Sequence, residues 1–158
     1  MKQKRIDKRR FFDRMEGLEF EEYCASLLRR NGFKDVEVTR GSMDQGVDII
    51  AYKHRTSYGI QCKKYKSKIG NKAVQEAYAG CCYYGLDVPV VLTNSYFTYS
   101  AKQLAERTGV ELWDREELLY LKKHKSAFGI LTGILLSAVI IGVLFFGIYY
   151  MKNWIGLR

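Results

Sequence analysis

The feature that most limits how this chain can fold is an uncharged run of 24 residues near its C-terminal end, from Ala127 to Tyr150. As a helix, such a run is about 36 Å long, which is enough to cross a hydrocarbon core of about 30 Å. A fully buried helix of this length would need a large protein around it, and the chain has 158 residues. The run therefore predicts one transmembrane helix over 127–150, a tail over 151–158 and a compact domain before them.

The residues around this run predict its orientation and one contact. Basic residues are more frequent before it than after it: Lys122, Lys123 and Lys125 against Lys152 and Arg158. Because cytoplasmic flanks carry the excess of Lys and Arg, we expect a single-pass protein of the cell membrane with its main domain in the cytoplasm. Small residues recur at every fourth position inside the run: Gly129, Gly133 and Ser137. This spacing allows close helix–helix approach and hence a homodimer.

The net charge of +9 is concentrated in a basic N-terminal arm, residues 1–14, where seven Lys or Arg stand against two Asp. Residues 15–126 have 17 basic and 15 acidic side chains and are nearly neutral. The arm can bind nucleic-acid phosphates or anionic lipid headgroups, and its charge alone does not choose between them. A second basic run, from Lys53 to Lys72, has seven basic residues and no acid. It is either a solvated face or a phosphate-binding strip.

Between the arm and the apolar run, helical and strand-like segments alternate. Apolar residues at helical spacing predict helices over 15–31, 71–84, 99–108 and 114–123. Runs rich in β-branched and aromatic residues predict strands over 35–39, 47–53, 57–64, 88–93 and 109–113. This order predicts one α/β domain over 15–123, an αβββαβ core with a mixed sheet and helices on both of its faces.

The three consecutive strands bring together residues that can do chemistry. Asp48 lies near the start of the second strand, and Gln61 and Lys63 are two apart on the third, so both point to one face while Cys62 points to the other. An inward lysine needs a partner such as a carboxylate or a phosphate. The alternative is that Lys63 simply begins the exposed basic run. Asp44, four residues before Asp48, is either a turn residue or a further ligand.

A second carboxylate is available from the first helix. Glu21 lies at the edge of the buried stripe that its apolar residues define, whereas Glu22 lies roughly opposite and Glu19 sits at the other border. Glu21 is therefore the best candidate to reach the sheet, and Glu19 is not excluded. No pair of the four cysteines has CxxC spacing, so a zinc site is not predicted.

Three stretches together resemble the Mrr-type restriction-endonuclease domain of the PD-(D/E)xK nuclease superfamily, over about residues 15–118. They are GLEFEEYCASLLRRNGFKDVEVTRGSMDQGVDIIAY, GIQCKKYKSKIGNKAVQEAYAG and PVVLTNSYFTYSAKQLAERTGVELWDR. The family pattern is an acid, a spacer and then Gln-x-Lys, which Asp48, Gln61 and Lys63 match. The helix acid of the family, which precedes a Leu-Leu pair and a Gly-Phe, matches Glu21.

This resemblance implies a restriction-type DNA endonuclease, here anchored to a membrane, with Mg²⁺ or another divalent cation held by Asp48 and Glu21 and no small-molecule cofactor. It implies catalytic roles for Asp48, Gln61, Lys63 and Glu21. Because Gln61 is neutral, we expect weaker metal retention or a single metal. DNA would contact the basic strip, at Lys64, Lys66, Lys68 and Lys72. The alternatives are a membrane-tethered DNA-binding module that does not cut, and a junction-resolving or repair nuclease on the same fold.

Overall fold

The computed structural model of the protein describes residues 11–39, 45–123, 141–143 and 146. Contacts divide the chain into two units, Met1–His124 and Lys125–Arg158. In the described part of the first unit, helices and strands alternate in the predicted order, which confirms the α/β class. The helices are α1 (Gly17–Arg30), α2 (Asn71–Tyr84), α3 (Tyr99–Thr108) and α4 (Arg115–Lys123). The strands are β1 (Lys34–Val38), β2 (Ile49–Lys53), β3 (Thr56–Lys63), β4 (Val88–Thr93) and β5 (Glu111–Trp113).

The residues of the predicted membrane helix, 127–150, belong to the second unit. Among the described residues, no helix is both long enough and apolar enough to cross a bilayer. The predicted span, 127–150, lies outside the described residues apart from 141–143 and 146.

Helix α1 begins and ends at polar residues that satisfy its terminal backbone groups. At its start, the backbone N–H of Glu16 donates to the carboxylate of Glu19 at 3.3 Å, half of a capping box. At its end, the side-chain amide of Asn31 donates to the carbonyls of Leu27 at 2.8 Å and Leu121 at 2.9 Å, so it also ties α1 to the end of α4. The apolar stripe predicted for this helix is buried, at Phe20, Cys24, Ala25, Leu27 and Leu28.

The five strands form a mixed sheet in the order β1-β2-β3-β4-β5. The pairs β1–β2 and β2–β3 are antiparallel, whereas β3–β4 and β4–β5 are parallel. A two-residue turn joins β2 to β3, with positive φ at both His54 (+51°) and Arg55 (+70°), the geometry that suits a twisted hairpin. Pairing between β2 and β3 stops where Ile49 faces Ile60, and β3 then continues beside β4 alone. The sheet is therefore open on one side at the end of β3.

Helices cover both faces of this sheet, and each face has its own apolar core. Ile60 and Cys62 of β3 belong to the core that includes α1 and the inner residues of α4. Val91 of β4 belongs to the opposite core, with Val74 and Ala77 of α2 and residues of α3. Since side chains alternate along a strand, Gln61 and Lys63 lie on the α2 side of the sheet. This alternation places a polar and a basic side chain where β3 outruns β2.

Candidate active site

Asp48 lies directly before β2 and is 5% exposed. Backbone contacts on both sides hold it in place. Its N–H donates to the carbonyl of Ile60 and its carbonyl accepts from the N–H of Thr39, both at 2.9 Å. Its carboxylate accepts from the backbone N–H of Cys62 at 2.6 Å and from the side-chain amide of Gln61. These N–H groups offset part of the cost of burying a carboxylate. The Asp48 side chain thus takes the place that a β2 backbone carbonyl would occupy in a longer ladder.

The loop before Asp48 is held against helix α2 by direct backbone contact. Gly46 has φ +87°, and a Cβ built on it would press against the backbone of Glu76, 2.8 Å from the carbonyl carbon. A Cβ on Gly80, one turn further along α2, would lie 2.6 Å from the carbonyl oxygen of Gln45. Only glycine permits this approach at both positions. The contact fixes Asp48 relative to α2. Asp44 lies outside the described residues.

Lys63 is set apart from the basic run that follows it. Its Nζ lies 2.9 Å from Oε2 of Glu76 on α2, and its side chain is 23% exposed. The other oxygen of Glu76 is 3.7 Å from Nζ of Lys72, whose side chain is 89% exposed. Lys63 therefore has the carboxylate partner that an inward lysine requires, and it is not simply the first member of an exposed strip.

Glu21 is half-buried on α1. A hydrogen bond with Cys24 and burial raise the pKa of the Cys62 thiol well above its usual range, and the negative charges of Asp48 and Glu21 add to the increase. Both carboxylates therefore act on the residue between Gln61 and Lys63. Glu21 is therefore near enough to Cys62 for its charge to act on the thiol, and its role in the site stays a prediction.

The donor set at this end of β3 fits a hard divalent cation. Asp48 and Glu21 offer carboxylate oxygens, which Mg²⁺ prefers, and Mg²⁺ commonly binds one or two carboxylates while water and substrate phosphates complete its shell. Within residues 11–39 and 45–123, no three side chains of His, Cys, Asp or Glu lie close enough together to hold an ion by themselves. Asp48 and Glu21 are the residues that could hold such an ion, with water and a phosphate in the rest of its coordination shell.

Two clefts open beside the segment that follows β3, and Tyr65 lines both. The first, of about 220 Å³, lies between the segment after β3 and the start of α2 and has Lys63, Lys68, Lys72 and Glu76 in its walls. The second, of about 640 Å³, is lined by residues of the N-terminal segment, of the same loop and of the start of α4: Asp13, Arg14, Tyr65, Lys66, Asn94, Ser95, Tyr96 and Arg115. Among the predicted DNA contacts, Lys66, Lys68 and Lys72 are exposed and Lys64 is half-buried. Lys68 and Lys72 line the first cleft and Lys66 lines the second, and these three exposed lysines are called the basic rim below.

A polar cluster that the sequence did not reveal supports this rim. Arg115 donates to both carboxylate oxygens of Asp13, at 2.9 and 2.7 Å, and to the carbonyl of Asn94 at 2.6 Å. The side chain of Asn94 donates to Asp13 at 2.9 Å and accepts from the backbone N–H of Tyr65 at 2.8 Å. The cluster thus ties the N-terminal segment to the loop two residues beyond Lys63. Asp13 and Arg115 are 102 positions apart, so no local pattern links them.

Glu76 is another residue of this site that the sequence analysis did not single out. A signal was available, because Ala73 and Ala77 are buried and Glu76 borders that stripe, whereas Gln75 is exposed.

Comparisons with known proteins show which family and which solved structures this chain is similar to. A model of the restriction endonuclease family, Mrr_cat, matches residues 12–121. No curated protein matches the sequence. The crystal structure of a protein of unknown function, AF1548, is similar with 26% identity and a TM-score of 0.51, over 60% of this chain and 55% of that one. AspBHI, a DNA modification-dependent restriction endonuclease, has 21% identity and a TM-score of 0.49, over 75% of this chain and 35% of that one.

The chain spans about half of the length of AF1548 and about a third of AspBHI. The family match covers most of the chain and contains Asp48, Gln61 and Lys63. The protein therefore belongs to the restriction endonuclease family, and the unit that contains the mixed sheet is a nuclease domain of that family.

Proposed function

We propose that the protein is a DNA endonuclease that depends on a divalent cation and acts while anchored to a membrane. The observation that carries the catalytic part is the group at the end of β3. A buried Asp48 is hydrogen-bonded to Gln61, and a part-buried Lys63 lies two residues further on beside a basic cleft. Family membership supports phosphodiester hydrolysis in DNA as the reaction.

The residues have separable roles in this proposal. Asp48 and Glu21 would hold the cation, which when bound supplies positive charge to the scissile phosphate and lowers the pKa of a bound water. Gln61 and the N–H of Cys62 orient the Asp48 carboxylate through their hydrogen bonds. Lys63 stabilises the negative charge that grows on the phosphate as the bond breaks. The exposed lysines of the rim, Lys66, Lys68 and Lys72, bind the neighbouring phosphates.

The test is cleavage of DNA by the purified full-length chain with Mg²⁺. Plasmid, methylated and branched DNA are offered in parallel, so that a restriction activity and a junction-resolving one give different patterns. We expect Asp48→Ala and Lys63→Ala to reduce cleavage at least about 10²- to 10³-fold, since each removes a charge that acts on the transition state. Lys102→Ala, on the exposed side of α3, is the matched control and should cut like the wild type.

The outcomes separate this proposal from a module that only binds DNA. Such a module would bind all the DNA forms without cutting any of them, and Lys63→Ala would weaken its binding modestly and uniformly. Absence of cleavage on every substrate, with Mg²⁺ or Mn²⁺ present, would refute the endonuclease.

The membrane anchor is proposed on the composition of 127–150. The run has no charge over 24 residues, and three lysines precede it at 122–125. We expect the full-length chain to pellet with membranes and to resist carbonate extraction, and a chain that ends at residue 125 to stay in the supernatant. A full-length chain that is soluble without detergent would contradict the anchor.

A further inference from the structure

The ion pair between Lys63 and Glu76 lies in the candidate site, and the proposed function gives Glu76 no role. The pair joins the end of β3 to the first half of α2 at 2.9 Å, inside the 220 Å³ cleft. Both side chains are mostly covered, with 23% and 31% exposure, so water screens the pair less than it screens a surface pair. The competing cation, Lys72, is almost fully exposed and lies further away, at 3.7 Å. Lys63 is therefore the principal partner of Glu76.

The backbone that carries Glu76 is fixed with respect to Asp48. Gly46 packs on the backbone of Glu76, and Gly80 packs on Gln45, so the loop that leads into Asp48 lies directly on α2. A displacement of α2 would move this loop as well. Glu76 thus stands on the same rigid support as the predicted catalytic carboxylate, although it comes from a separate helix.

The other polar groups of the site indicate why Lys63 needs Glu76 as a partner. Position 61 is a neutral Gln, and the Asp48 carboxylate already accepts from Gln61 and from the N–H of Cys62. Lysine has a flexible four-carbon chain with many rotamers, so a free ammonium would occupy many positions. The Glu76 carboxylate gives Lys63 a defined position in the cleft.

We propose that Glu76 is a positioning residue that holds the Lys63 ammonium at the reacting phosphate. The inference rests on the proposed function, because it assigns Glu76 a part in the same cleavage reaction. Glu76 itself does not touch the DNA in this scheme. It acts on the rate through Lys63.

The test compares Glu76→Gln with the wild type in the full-length chain, purified in detergent. The change keeps the shape of the side chain and removes its charge. A misplacement of a catalytic group by about 1 Å lowers a rate by about 10²-fold, so we expect single-turnover cleavage to fall by roughly 10- to 100-fold. The dissociation constant for DNA, measured with Ca²⁺ in place of Mg²⁺, should not increase, because the change removes a negative charge near the phosphates. Gln75→Ala, on the exposed side of the same turn, is the control and should leave both quantities unchanged.

A second measurement does not depend on cleavage. The rate at which a methylating reagent labels Lys63 is followed by mass spectrometry in the wild type and in Glu76→Gln. An ammonium held by a carboxylate reacts slowly, so the substitution should speed the labelling of Lys63 and leave that of Lys102 unchanged. Equal labelling of Lys63 in both proteins would overturn the inference.

The combined outcomes separate the inference from the proposed function. Faster labelling together with a lower cleavage rate and an undiminished DNA affinity supports the positioning role. A Glu76→Gln protein that cuts like the wild type overturns it, as does a loss that appears only as weaker DNA binding. If the wild type cuts no DNA, the proposed function fails, and the catalytic part of the inference fails with it. The labelling still decides whether Glu76 holds Lys63.

Discussion

The contact between the loop before Asp48 and helix α2 gives a quantitative prediction for Gly46→Ala. The new methyl group would meet the backbone of Glu76, 2.8 Å from its carbonyl carbon and 3.2 Å from its Cα, and backbone atoms cannot rotate away as a side chain can. The φ of +87° adds strain for any residue with a Cβ. Left-handed backbone costs about 1–2 kcal/mol and overpacking about 1–3 kcal/mol, so we expect a loss of about 2–5 kcal/mol.

Two other glycines separate these contributions. Gly32 has φ +83° but nothing within 4 Å of its Cβ position, so Gly32→Ala carries the strain alone. Gly70 has φ −98° and open space around it, so Gly70→Ala carries neither cost. We expect the loss in free energy of unfolding to be largest for Gly46→Ala, smaller for Gly32→Ala and smallest for Gly70→Ala.

Urea unfolding followed by tryptophan fluorescence measures this series, because Trp113 packs against Phe33 and Tyr58 in the sheet. At roughly 4 °C per kcal/mol, the melting temperature of Gly46→Ala should fall by about 8–20 °C. If Gly46→Ala is no less stable than Gly32→Ala, the close backbone contact does not determine the fold. It then does not fix Asp48 relative to Glu76 either.

The remaining predictions concern two buried groups, the Cys81 thiol and the Tyr23 hydroxyl. Cys82 is exposed while Cys81 is buried, and burial raises the pKa of Cys81 to about 11, so a thiol reagent at pH 8 should modify Cys82 quickly and Cys81 only after unfolding. The unfolded state loses the Cys81 proton near pH 9, whereas the folded state keeps it up to about pH 11. This thiol should therefore make the free energy of unfolding fall as the pH rises from about 9 to 11. A Cys81→Ala protein should show less of that fall. The hydroxyl of Tyr23 is buried without a hydrogen-bond partner among the described residues, so Tyr23→Phe should leave urea stability unchanged or raise it by up to about 1 kcal/mol. A clear loss of stability in Tyr23→Phe would show that the hydroxyl has a partner.

The order of helices and strands could be predicted because each apolar run has a clear period. The differences at the element ends have physical causes. Strand β2 was predicted from residue 47 and begins at Ile49, because the Asp48 side chain binds the Cys62 N–H that a longer ladder would have used. Strand β5 was predicted from residue 109 and begins at Glu111, because Gly109 has φ +73° and ends α3.

The sequence could predict the site residues that lie on one strand or one helix, but not the contacts between these elements. Strand alternation and family resemblance were enough to select Asp48, Gln61 and Lys63, and one helical face selected Glu21. The ion pair of Lys63 with Glu76 depends on how α2 packs on the sheet, and the Asp13–Arg115 pair depends on the whole domain being closed. The Asp13–Arg115 pair has no local signal, and the place of Glu76 beside the buried stripe of α2 does not identify Lys63 as its partner.

The Asp13–Arg115 contact has a consequence for the order in which the protein matures. Asp13 leaves the ribosome before every strand of the sheet, and Arg115 leaves only after all five strands have been made. Both residues line the larger cleft, so its wall is complete only after the sheet has been made. A chain still in synthesis lacks this ion pair until Arg115 has left the ribosome.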